Sequence, residues 1–157
     1  MKLNREKTFL RLAKMYVKQV NLGFDIVFNN TDFDDLTKDD YLIERMFDAT
    51  IPVTFFENYL IATDNHELIG GYLHCLYISD QFNKLIAYIE HRNIKEKHLD
   101  AYFNAQTQKA INEEDKQKVH YWKAEIEMKK NTEKDTENIK FFDLIIDNCN
   151  EYLESNK

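Results

Sequence analysis

The chain is 157 residues long, with 43% hydrophobic and 13% aromatic residues, which is enough to fill a domain-sized core and excludes wholesale disorder. Three Gly and one Pro exclude the turn-rich β-sandwich and barrel classes and point to a single all-α domain over 1–157. A net charge of −7 opposes general nucleic-acid binding, which depends on Lys and Arg neutralising phosphates.

Charge is unevenly placed along the chain. Residues 1–22 carry Lys2, Arg5, Lys7, Arg11, Lys14 and Lys18 against Glu6 alone, so this segment is +5 and the remainder −12. An acidic body of that size attracts a basic partner and speeds the encounter with it. In the same segment Leu3, Leu10 and Val17, together with Phe9, Leu12, Tyr16 and Val20, recur at helical intervals. This predicts an amphipathic helix with a basic outer face, ended by Gly23. Residues 24–28 are expected as a short irregular piece and 29–40 as an acidic surface loop.

Thr37 reads as the cap of a second helix reaching Ala49, with Asp39 and Asp40 in its first turn. Pro52 suits the first turn of a third helix, 52–62. Asp64 with Glu67 resembles a capping box for a fourth, 65–78. Ser79-Asp80 opens a fifth, striped by Phe82, Leu85, Ile86 and Ile89 and ended by Asn93. A sixth is expected over 95–111, a seventh from Asn112 onward with Val119, Trp122 and Ile126 inward, and an eighth, a C-terminal capping helix, over 133–153. About eight helices with short connections predict stacked antiparallel hairpins, solenoid-like, or an irregular bundle. Leu85 and Tyr88 precede Val119 and Trp122 by 34 residues, a spacing similar to that of tetratricopeptide helical hairpins. That resemblance implies a stacked, peptide- or protein-binding architecture.

Tests for chemistry mostly fail. His66-Glu67 starts a zinc-protease helix motif, but Gly70 stands where the second His is needed. Cys75 and Cys149 form no C-x-x-C pair and are expected as buried core thiols, and no run is apolar enough to span a bilayer. An EF-hand counted from Asp32 would require Gly and Glu where Thr37 and Ile43 stand. Gly70-Gly71 lacks a phosphate-loop Lys and is read as a site of close helix packing. No metal and no cofactor is expected.

The segment from Arg92 to His98 resembles the Arg-X4–6-His motif of HEPN-type ribonucleases, small all-α proteins in which a polar residue such as Asn93 follows the Arg. The resemblance implies Arg92 at the scissile phosphate and His98 as acid or base. Against it stand the charged residues between the two and the helix end expected at Asn93. The reading that follows is a non-enzymatic cytosolic interaction domain. It would be an acidic immunity or antitoxin-type protein that neutralises a basic protein such as a nuclease toxin. Its expected partner-binding residues are Asp32, Asp34, Asp35, Asp39, Asp40, Glu113, Glu114 and Asp115. The alternatives are the ribonuclease and a tetratricopeptide-like peptide-binding regulator.

Overall fold

The structure, a computed structural model, describes residues 7, 8, 11–15, 18 and 49–155. The described residues are helical with short turns and contain no strand, so the chain is all-α there. Six α-helices follow one another from residue 50: α1 (Thr50–Tyr59), α2 (His66–Ile78), α3 (Phe82–Arg92), α4 (Leu99–Asn112), α5 (Lys116–Thr132) and α6 (Thr136–Ser155). The helix expected over 37–49, the cap at Gly23 and the acidic loop 29–40 lie outside the described residues. The chain divides into two compact units, Met1–Gln81 and Phe82–Lys157.

In the first unit, residues 7, 8, 11–15 and 18 are helical, with Lys7, Arg11, Lys14 and Lys18 exposed. α1 packs on α2. Phe56 stacks on Tyr72 with ring centres 4.0 Å apart and planes 4° from parallel, and the Tyr72 hydroxyl donates to Glu57 at 3.0 Å. Among the described residues, Val53, Leu60, Leu68, Ile69, Leu73 and Leu76 are also buried here. α2 is capped by Asn65 rather than Asp64: the Asn65 amide oxygen accepts from the Glu67 and Leu68 backbone N–H groups at 3.1 and 3.2 Å. Two adjacent Asx residues compete for this role, and the winner is the one whose oxygen reaches the second and third amides of the helix.

In the second unit α4 is the central element, packed against α3, α5 and α6, while α5 also packs along α6. Its buried face mixes bulk with small residues: Tyr102 and Phe103 beside Ala105 and Ala110. Phe103 meets the Phe142 ring edge-on at 5.8 Å and Trp122 at 6.4 Å, and Tyr102 meets Trp122 at 5.9 Å. Phe142 is fully buried, so truncation to Ala would cost about 3–5 kcal/mol. Thr107, equally buried, donates its hydroxyl to the Phe103 carbonyl at 2.9 Å, so no polar atom there is left unsatisfied.

The sixth expected helix does not run from Lys95. Lys95–Lys97 forms a 3₁₀ turn, and α4 begins only at Leu99. Asn93 ends α3 in the left-handed region, and the following Lys-Glu-Lys has no apolar side chain to register against a core. The next two helices also start later than expected, because their caps are Asp115 and Asp135, whose carboxylates accept from the Lys118 and Glu137 amides at 3.0 and 2.8 Å.

Three helices end in the same reversal. Asp80, Asn93 and Glu114 have φ of 57°, 53° and 54°. In each case the left-handed residue donates its N–H to the carbonyl three residues back, and the next residue donates to the carbonyl five back. The pairs are Asp80–Tyr77 with Gln81–Leu76, Asn93–Glu90 with Ile94–Ile89, and Glu114–Ile111 with Asp115–Ala110. This is the Schellman arrangement, normally built on Gly. An L-residue in that conformation costs about 1–2 kcal/mol. Glu114→Gly is therefore expected to raise stability by about 1 kcal/mol, a few degrees in Tm. Asn93→Gly gains less, because Asn tolerates the left-handed region. Thermal unfolding of the two variants checks both the sign and the order.

Candidate functional site

The expected acidic residues fall in two places. Asp32, Asp34, Asp35, Asp39 and Asp40 lie outside the described residues. Glu113, Glu114 and Asp115 form the turn between α4 and α5, where two of the three carboxylates have structural partners. Glu113 pairs with Lys118 at 3.3 Å and with Lys109 at 3.8 Å. Asp115 caps α5 and pairs with Lys118 at 3.2 Å. The Lys118 amide, and then its ammonium, hold the Asp115 carboxyl below the ordinary aspartate range, while Asp115 and Glu113 push Lys118 upward. Glu113 also lines a shallow groove of about 260 Å³ with Gln106, Tyr121 and Trp122, and Tyr121 is 56% exposed there.

Arg92 and His98 do not share a helix. Arg92 is the last residue of α3, and its guanidinium donates to the Tyr88 hydroxyl at 3.1 Å and lies 5.6 Å from that ring's centre. His98 sits between the 3₁₀ turn and α4 and is only 7% exposed, so it is not the solvated turn residue that its charged neighbours suggest. Beside it, the Tyr102 hydroxyl donates to Glu90 at 2.8 Å, and the Lys95 ammonium lies 4.6 Å from the Tyr102 ring centre. Burial and then Glu90 push the Tyr102 phenol upward. Among the described residues no group of His, Cys, Asp and Glu is arranged to hold a metal ion.

Sequence reasoning missed two features of the first unit. The first is a cleft of about 430 Å³ over α2. Gly70 and Gly71 contribute to its floor, Pro52, Phe56 and Tyr72 to its apolar wall, and Lys14 and Lys18 to its basic rim. Lys14 pairs with Glu67 at 2.6 Å across that rim. His74 also lines the cleft. Much of its side chain meets water, yet the surrounding protein still desolvates the imidazolium and lowers its pKa, favouring the neutral ring at pH 7.

Close helix packing does not explain Gly70. Its φ is not positive, and among the described residues a Cβ built there would meet nothing within 4 Å. Neither conformation nor crowding requires the glycine, which costs the helix about 1 kcal/mol relative to Ala.

The second feature is an apolar ridge on α1. Ile51, Phe55 and Tyr59 recur every four residues, with Ile51 and Tyr59 54% and 59% exposed and the Phe55 and Tyr59 rings 5.2 Å apart. Residues 49–81 around it contain no Lys or Arg. The spacing was visible in the sequence, but a four-residue apolar repeat also describes a buried stripe, and α1 buries Val53 and Phe56 instead.

No family model, curated protein or solved structure matches the chain.

Two outcomes follow from this geometry. Gly70→Ala is expected to raise stability by up to about 1 kcal/mol by thermal or urea unfolding, and a loss would mean that the position is crowded. Cys75 and Cys149 are both buried and free, with burial pushing their thiols to about 12 and about 11. At pH 8 a disulfide-exchange reagent is therefore expected to label neither on the timescale of a model thiol, and both on addition of denaturant. Fast labelling of the native protein would contradict this.

Proposed function

We propose that the chain is a non-enzymatic protein-interaction module that binds a basic protein, in the manner of an immunity or antitoxin-type neutraliser acting in the cytosol. The observation that carries this reading is the ridge of exposed Ile51 and Tyr59 about a half-buried Phe55, in a stretch without a single Lys or Arg. Exposed aromatic and aliphatic side chains at helical spacing are what a partner buries as anchors, and a negative surround favours a cationic surface during the approach. Across 23–81 there are twelve acidic and two basic residues, so the field extends beyond the ridge itself.

The solenoid-like, loosely tetratricopeptide-like arrangement belongs to the same reading. Its support is local to the second unit and the turn before it: identical left-handed reversals at Asp80 and Glu114, 34 residues apart, and an α4 that packs against both α5 and α6. Among the described residues no helix is long and apolar enough to cross a membrane.

The test is affinity purification of the tagged chain from its native cells at low salt, followed by measurement of binding kinetics with any stoichiometric basic partner. Tyr59→Ala is expected to weaken binding about tenfold with only a small fall in Tm, since the residue is more exposed than buried and its ring also packs on Phe55. Reversing Asp34, Asp35 and Asp39 to Lys is expected to slow association and flatten its salt dependence. Recovery of a homodimer that cuts RNA and loses that activity on His98→Ala, at unchanged Tm, would replace this reading with the ribonuclease.

A further inference from the structure

We infer that the cleft over α2 is a binding site for a small, flat, apolar molecule carrying one anionic group, such as an aryl carboxylate or sulfonate. Its volume of about 430 Å³ lies within the ~300–1,000 Å³ typical of small-molecule sites. Phe56, Tyr72 and Pro52 supply an apolar wall, and the stacked Phe56–Tyr72 pair holds that wall rigid. Gly70 supplies the independent sign of use. A helix former at this position would be free of clash and of backbone strain, and the consequence of any larger side chain would be to fill the cleft. The glycine keeps the space open at the expense of its own helix.

The charge of the ligand follows from the rim. Lys14 and Lys18 belong to an otherwise mostly apolar opening, and among the described residues the only carboxylate in the lining, Glu67, already engages Lys14 at 2.6 Å. An anion seated there shares Lys14 with Glu67 and meets Lys18. The neutral imidazole of His74 adds a polar group without adding charge. Apolar body and anionic end together match the lining; a cationic ligand would face two ammonium groups.

This site is independent of the partner surface. α1 contributes Pro52 and Phe56 to the cleft and Ile51, Phe55 and Tyr59 to the ridge.

The experiment titrates the full chain with two fluorescent probes of the same ring system, the anionic 8-anilinonaphthalene-1-sulfonate and the uncharged N-phenyl-1-naphthylamine. Saturable one-to-one binding of the sulfonate is expected, with weaker binding of the neutral probe. Lys18→Gln is expected to weaken the sulfonate about two- to fivefold and Glu67→Gln to tighten it by a similar factor, neither altering the neutral probe. Gly70→Leu is expected to abolish binding of both with Tm unchanged or higher, and Gly70→Ala to reduce it. Tyr59→Ala is expected to leave both probes unaffected. Absence of saturable binding, binding that survives Gly70→Leu in a folded protein, or equal affinity for the two probes with no effect of Lys18→Gln would each overturn the assignment. So would a signal that grows only as Tm falls, which reports a loosened core instead.

Discussion

Reversing the chain repeatedly with almost no glycine is the constraint on which the helical architecture rests. Asp80, Asn93 and Glu114 each accept the left-handed conformation that an L-residue ordinarily avoids, and each reversal closes with two backbone hydrogen bonds. Because the reversal is so short, its last residue can open the next helix. Asp115 donates its N–H to the Ala110 carbonyl, closing α4, while its carboxylate caps α5. A connection this tight makes α4 and α5 antiparallel neighbours and brings Trp122 against Tyr102 and Phe103. α6 then adds Phe142 to the same cluster, and Asn148 reaches Gln108 at 3.4 Å from the far side of α4. The strain at Asn93 and Glu114 is offset by the apolar faces of α3, α4 and α5 that those two turns allow to meet.

Electrostatics follow a different logic in the two units. In the second unit, opposite charges are interleaved and tie neighbouring elements together: Lys129 reaches Glu96 at 2.8 Å, and Lys130 pairs with Asp143. In the first unit the signs are segregated along the chain, and the basic N-terminal helix places Lys14 on Glu67. Both groups of that pair are largely exposed, so it contributes at most about 1 kcal/mol. Its significance is one of direction. Part of the asymmetry that reads from sequence as attraction for a partner is spent inside the chain, over α2, whereas the α1 ridge lies in a segment with no cation of its own.

Much of the fold was legible because helix ends carry chemistry. The αL stop at Asn93, the proline in the first turn of α1, and the apolar stripes of α3 and α6 are all visible as residue types at fixed intervals. Errors came where several residues could serve or none could. Asp64 and Asn65 both qualify as caps, and only the reach of one amide oxygen separates them. Lys95–Lys97 offers no apolar residue from which to read a period, so the sequence pattern places the helix start four residues early. The site was less legible than the fold. Glu113 and Asp115 could be recognised as acidic but not as both engaged by Lys118, in the first turn of α5. Gly70 was conspicuous, but whether a helical glycine faces a neighbour or a void depends on what packs there, and a local pattern carries no such information.

α1 joins the two surfaces of the first unit. Its ten residues give one face to the cleft through Pro52 and Phe56 and another to solvent through Ile51, Phe55 and Tyr59. Phe56 cannot shift without disturbing its stacking on Tyr72, and Tyr72 is in turn held by Glu57 on α1 itself. The helix is thereby fixed to the cleft wall at two adjacent residues, Phe56 and Glu57. The same ten residues thus serve both surfaces with different side chains, and a change confined to Ile51 or Tyr59 leaves the cleft wall as it is.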